Sequence, residues 1–201
     1  GSEKITNKRT TAFGRLGAWG THRYGVYFTG DLIGDWYTLD IIIPATIQGG
    51  NMLVAYMNNL CGGVFNVDLP PELYQRWVQF SSFSPVIWFH GLWGLRLPWE
   101  YGQEGIETYL KFVGLRYSLI PYIYTYSRLA YETGLPLVRG MYLEYPAQEK
   151  SFNYNRQYMF GRELLVAPIT KSADGKDAEK EIFLPANESW VDYFTGRIYT
   201  G

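Results

Sequence analysis

Apolar positions along the chain alternate between strand-like runs and helix-like spacing. Residues 1–12 are mostly polar and predict a disordered or tag-derived lead-in, with Gly1-Ser2 reading as a cloning remnant. Tyr24–Thr29 (YGVYFT) predicts a buried strand closed by Gly30-Asp31. Trp36, Leu39, Ile43 and Ile47 then recur at helical spacing, and Pro44 is expected to kink or interrupt that helix. Met52–Met57 predicts a second strand, followed by a loop over Asn58–Asp68 that holds the pair Gly62-Gly63. Asp68, with Pro70 just behind it, marks a helix start leading into ELYQRWVQF. Val86–Phe89 reads as a third strand ending at His90-Gly91, before a loop rich in Trp and Gly. A long helix is predicted from near Gly105 through Leu110, Val113 and Leu115. Pro121 interrupts it, and the pattern resumes to Thr133-Gly134.

Strands thus alternate with helices from 24 to 134, the signature of a parallel α/β unit. After Pro146 the pattern changes to short apolar runs, LLVAP, EIFLP and SWVDYF, between Gly, Asp and Asn turns. The charged stretch 171–181 reads as a solvated hairpin or loop. The predicted division is a lead-in at 1–12, an α/β region at 13–146 and a small β domain at 147–201. Three β/α units cannot close an eight-stranded barrel, which usually takes about 250 residues. The region is therefore either an open α/β sheet or the tail of a barrel whose first half is missing. Either arrangement leaves a strand edge unpaired, and self-association through that edge is an expectation.

Composition narrows the function classes. Lys and Arg total 18 against 19 Asp and Glu, without the basic excess that phosphate neutralisation needs, so neither nucleic acid nor a membrane surface is expected as partner. At 47% hydrophobic, the chain can build a core. Aromatic residues reach 18%: most would fill that core, while some could line a cleft with flat apolar faces for a ligand such as a sugar. The single Cys61 rules out an internal disulfide and reads as a buried apolar residue. With only His22 and His90 and no Cys/His cluster, no metal site or cofactor is expected.

Chemistry in α/β folds gathers just past the carboxyl ends of strands. Three such ends are predicted here: Gly30-Asp31, Asn58-Asn59 and His90. Asp31 could project into a cleft or cap the next helix. Asp35, adjacent to Trp36, is better placed for the cap. Among Tyr27, Phe28 and Trp36, the Asp31 carboxyl would be desolvated, as a general acid at neutral pH requires. His90, beside Trp88 and Trp93, is either a ligand-binding donor or a satisfied core histidine.

The stretch from Arg15 through Phe28-Thr29-Gly30-Asp31 to Trp36 resembles the acid/base segment of glycoside hydrolase family 31, the α-glucosidases and α-xylosidases. The resemblance continues through ELYQRWVQFSSFSP, His90, Pro98-Trp99, LRYSLIPYIYTY, GLPLVRG and GRELLVAP, and ends in FLPANESWVDYFTG. It implies the C-terminal portion of a (β/α)8 barrel followed by the start of a β-sandwich domain. It also implies a retaining enzyme acting on α-linked oligosaccharides or glycosides. Asp31 would be its catalytic acid/base, and Arg15, Phe28, Trp88 and His90 would bind substrate. The nucleophilic carboxylate such chemistry needs, about 5–5.5 Å from the acid, would lie on the N-terminal barrel half, so this chain would hold half of the catalytic pair and be inactive alone.

Three positions depart from the family's pattern. An Asp before Ile-Gly-Gly is absent from Asn59-Leu60-Cys61-Gly62-Gly63, Trp88 stands where an Arg is usual, and Leu97 where a Glu is usual. Losing one member of a buried ionic group costs about 3–5 kcal/mol, whereas joint replacement can be nearly neutral. Exchange of a polar network for an apolar, Trp-lined wall is the corresponding expectation. Two other readings stay open: a non-catalytic carbohydrate- or partner-binding module on the same framework, and a self-contained hydrolase pairing Asp31 with Asp68.

Overall fold

The computed structural model describes residues 2–8, 10–15, 20–65 and 68–201. Its first layer is a parallel sheet of β1 (Phe13–Gly14), β2 (Val26–Phe28) and β3 (Met57–Asn58), in that order. Phe13 pairs with Val26, and Phe28 with Asn58. Residues 86–89, predicted as a full strand, join β3 and the loop after it through isolated parallel bridges, Asn58 to Val86 and Cys61 to Phe89. Asn58 reinforces this edge, its Nδ2 donating to the Val86 carbonyl at 3.0 Å. The arrangement is the C-terminal portion of a (β/α)8 barrel, and among the described residues the sheet does not close.

Several boundaries differ from the sequence expectation. The lead-in contains a one-turn helix, α1 (Ser2–Thr6). Helix α2 (Trp36–Asn51) runs through Pro44 as one continuous helix. The predicted strand at Met52–Met57 is instead the exit turn of α2, where the N–H of Met52 returns to the carbonyls of Gln48 and Gly49, and only Met57 enters the sheet. Hydrogen bonding back to the helix end outcompetes the short apolar run.

Asp35 caps α2 as expected, accepting from the Thr38 N–H at 2.7 Å. Asp68 does not cap α3 (Pro71–Ser82): Pro70 is the N-cap, and Pro71 occupies the first turn, where a missing N–H has no cost. Helix α4 (Gly102–Ser118) begins three residues before Gly105, and α5 (Ile120–Thr133) follows with Pro121 in its first turn.

Helix α2 packs against β3, α3 packs against α4, and the apolar faces of α2 and α3 share one core. Leu39, Ile43, Leu73, Tyr74, Trp77 and Val78 are completely or almost completely buried there. Most of this burial is aliphatic and aromatic area removed from water, the dominant favourable term in folding.

The second layer is antiparallel: β4 (Val138–Gly140), β5 (Tyr158–Phe160) and β6 (Leu164–Val166), in that order. A short helix, α6 (Met141–Glu144), follows β4 directly. The sheet thus draws its first strand from before residue 147. EIFLP forms no strand, although its Phe183 is buried with Met141 and Met159. A hairpin of β7 (Ser189–Val191) and β8 (Ile198–Thr200) ends the chain. Stretch 171–181 is partly tied down rather than simply solvated. Glu72 accepts from the Ser172 hydroxyl at 2.8 Å and the Ala173 N–H at 3.0 Å. Among the described residues no helix is long and apolar enough to cross a membrane.

Candidate active site

The carboxyl ends of β1 and β2 lie side by side because the strands pair in parallel, and each delivers a charged residue. Arg15 directly follows β1, and Gly30-Asp31 lies just past β2. Nη1 of Arg15 stands 3.4 Å from Oδ2 of Asp31, with the two side chains 55% and 32% exposed. Gly30 permits that approach. Its φ is +91°, where a Cβ is strained, and a Cβ there would sit 3.1 Å from Nε of Arg15. The small residue serves both the turn and the ion pair. The desolvated carboxyl expected from the flanking aromatics is not formed by the described residues alone, since about a third of the Asp31 side chain remains accessible.

Beside this pair lies a cluster of rings. Phe13 and Phe28 stack across β1 and β2 at 5.3 Å and 7°. Trp88 meets them edge-on at 4.9 and 5.9 Å. The Trp88 indole in turn lies nearly flat on the His90 imidazole, 5.0 Å away and 17° from parallel. Three of the five predicted site residues therefore follow or end sheet strands, His90 follows the isolated bridge at Phe89, and Trp88 bridges between their groups. The sequence reading missed Phe13 and β1 altogether, because a two-residue strand carries no periodic signal.

The neutral positions singled out above have separate environments. Asn59 is buried and satisfied, its Nδ2 donating to Ser84 Oγ at 2.9 Å and its Oδ1 accepting from Ser81 Oγ at 3.0 Å. Leu60 is fully buried with φ +46°, an unusual backbone for a bulky residue, and its N–H donates to Asn58 Oδ1 at 2.9 Å. Burial pushes the Cys61 thiol up to about 12, which removes it from consideration as a nucleophile. Trp88 and Leu97 remain partly exposed.

Arg96 clasps the loops behind these residues. Its Nε donates to the carbonyls of Gly62 and Gly63, both at 3.1 Å, and its Nη1 to the Tyr101 hydroxyl at 3.3 Å. A Cβ at Gly62 would lie 2.8 Å from Cδ of Arg96, so only glycine leaves room for the clasp. Nothing in the local sequence pattern announces this role for Arg96.

Residues 1–126 match the sequence model of the glycosyl hydrolases family 31 TIM-barrel domain, and residues 134–201 that of the glycosyl hydrolase family 31 C-terminal domain. The chain belongs to glycosyl hydrolase family 31. It is 32% identical over 206 aligned positions to an alpha-xylosidase of Saccharolobus solfataricus, covering all of this chain and 28% of that protein. Alpha-glucosidase 2 of Bacillus thermoamyloliquefaciens is also 32% identical, over 204 positions, with 25% of its length covered. Among solved structures, a family 31 dextranase of Flavobacterium johnsoniae complexed with glucose superposes with TM-score 0.92 at 32% identity. The match covers 99% of this chain and 26% of that one. This family 31 chain spans about a quarter of the length of those relatives.

Proposed function

We propose that in the full-length protein this chain supplies the acid/base side of a retaining α-glycosidase. Asp31 protonates the glycosidic oxygen as the bond breaks, then takes a proton from the water that releases the sugar. Arg15 and His90 hold hydroxyls of the sugar in the first subsite, and Phe28 offers it an apolar face. The observation that carries this reading is the Arg15–Asp31 contact of 3.4 Å at the adjoining ends of two parallel strands. An open carboxylate beside a donor-rich guanidinium at that end of a barrel suits a polyhydroxylated substrate. The nucleophilic carboxylate would come from the N-terminal barrel half, which would also cover the edge of β1. On that basis the isolated chain is inactive, and self-association through the β1 edge would substitute for the absent half.

The test is Asp31→Asn in the full-length protein, assayed on α-glycosides with poor and good leaving groups. Turnover of the poor leaving group should fall about 10³-fold, within the usual range for a lost general acid. An activated aryl glycoside should be affected far less at the cleavage step, and azide, which needs no general base, should accelerate release of the glycosyl intermediate. Full turnover on the poor leaving group would sink the assignment.

The aromatic cluster of Phe13, Phe28 and Trp88 also suits a second reading, a carbohydrate-binding module without catalysis. Calorimetric binding of an α-linked oligosaccharide by the full-length protein, with no product formed, would favour it.

A further inference from the structure

We propose that Trp88 is a positioning residue that acts through His90, setting the plane of the imidazole from which it meets the substrate. The inference rests on the placement of His90 in the sugar subsite. Residues 88 and 90 are two apart on an extended stretch, so both side chains leave the same face of the chain. Their rings lie 5.0 Å apart and 17° from parallel.

Trp88 is itself held from two directions. Its carbonyl accepts from the Cys61 N–H at 2.9 Å, which ties its backbone to the loop after β3. Its indole is braced edge-on by Phe13 and Phe28, at interplanar angles of 81° and 80°. Those two rings stack on each other across β1 and β2. A continuous set of ring contacts therefore runs from the strands that carry Arg15 and Asp31 to the imidazole.

The physical consequence concerns direction. The outer torsion of a histidine is broad and roughly two-fold, so an unsupported imidazole can swing. Both ring nitrogens make their hydrogen bonds in the ring plane, so fixing the plane fixes where those bonds point. A flat indole against one face removes the swing while leaving both ring nitrogens available. An aliphatic side chain at 88 could fill the space beside Phe13 and Phe28, but it would offer no flat face to His90. Small errors in the placement of a contacting group can cost up to about 10²-fold in rate.

The experiment uses the full-length protein and the variants Trp88→Leu, Trp88→Phe, His90→Gln and Trp88→Leu/His90→Gln. Trp88→Leu should lower kcat/KM about tenfold, chiefly through kcat, with Trp88→Phe restoring it to within about threefold. The double variant should be no worse than His90→Gln alone, since two residues acting as one unit are not additive. In protein carrying 13C-labelled histidine, the His90 ring signals, assigned by their loss in His90→Gln, should move downfield in Trp88→Leu as the indole ring current disappears. They should stay close to their original position in Trp88→Phe. Additive kinetic losses, or His90 signals that do not move in Trp88→Leu, would overturn the proposal. If the full-length protein hydrolyses no α-glycoside, the functional reading fails separately, and the histidine spectra still decide whether Trp88 orients His90.

Discussion

Arg15 and Arg116 carry the same guanidinium in opposite circumstances. Arg116 on α4 reaches the far end of α3, where its Nη1 donates to the carbonyls of Ser82 at 3.0 Å and Ser84 at 2.6 Å, and its Nη2 to that of Pro85 at 2.9 Å. Those carbonyls lie at a helix exit, where backbone acceptors lack intrahelical partners and a cation is favoured. Burial lowers the Arg116 pKa to about 10, so the hydrogen bonds, rather than solvent, hold the cation in place. Arg15 faces Asp31 at 3.4 Å and is 55% exposed. A guanidinium has five N–H donors in a fixed fork. At Arg116 three backbone acceptors engage that fork, whereas the one ion pair of Arg15 among the described residues is with Asp31, and the proposed function uses its remaining donors. Residue type alone does not mark Arg116 as a structural clasp; saturation of its hydrogen bonds does.

The contrast can be broken most directly at the clasp. Arg116→Met should destabilise the α3–α4 packing by about 3 kcal/mol, since it leaves half-buried carbonyls unpaired. Hydrogen exchange at residues 82–85 and along α4 in the full-length protein should accelerate, while activity per folded molecule stays unchanged. An unchanged exchange pattern would mean that the carbonyls find water at no cost.

Gly30→Ala is the next largest. Strain at φ +91° and crowding of Arg15 should together cost about 2 kcal/mol, and should displace the guanidinium from Asp31. Thermal melting and substrate affinity should both deteriorate; a variant that loses neither would show that the turn relaxes freely.

Arg15→Ala sharpens the comparison from the other side. Stability should change by about 0.5 kcal/mol or less, as for an exposed ion pair, yet kcat/KM should fall at least about tenfold. Equal losses in stability would make Arg15 another clasp.

The smallest effect belongs to a third arginine. Arg156 donates to both carboxylate oxygens of Asp40, from Nε at 2.6 Å and Nη2 at 2.5 Å, and this holds the Asp40 carboxyl below its ordinary value of 3.8. A carboxyl depressed on folding adds stability that is fully present above its unfolded value and is lost as pH falls through the folded one. Acid unfolding below about pH 4 should therefore be less steep in Arg156→Gln, by about 1 kcal/mol or less because the pair is partly exposed. Identical acid profiles would exclude a contribution from the pair.

Part of the geometry around Asp31 was legible along the chain. Asp31 could be placed past a strand end because the apolar run of β2 announces its boundary within a few residues, whereas the stretch before His90 forms only isolated bridges. Asp35 could be assigned as the cap because that bond spans three residues. The clasp of Arg96 on Gly62 and Gly63 could not be read, since it joins groups more than 30 residues apart with no periodic signature. Nor could the true end of α2, where hydrogen bonds back to Gln48 and Gly49 override the apolar run from Met52.

By itself the sequence determined the alternation of parallel strands and helices, the antiparallel tail and the residue types at the strand ends. Those are local matters of periodicity, capping and motif order. Only the tertiary structure decided that Arg15 follows a strand at all, that it faces Asp31, and that Phe13 and Phe28 brace Trp88 against His90. Strand pairing and ring stacking depend on which distant segments meet, and local propensity says nothing about that.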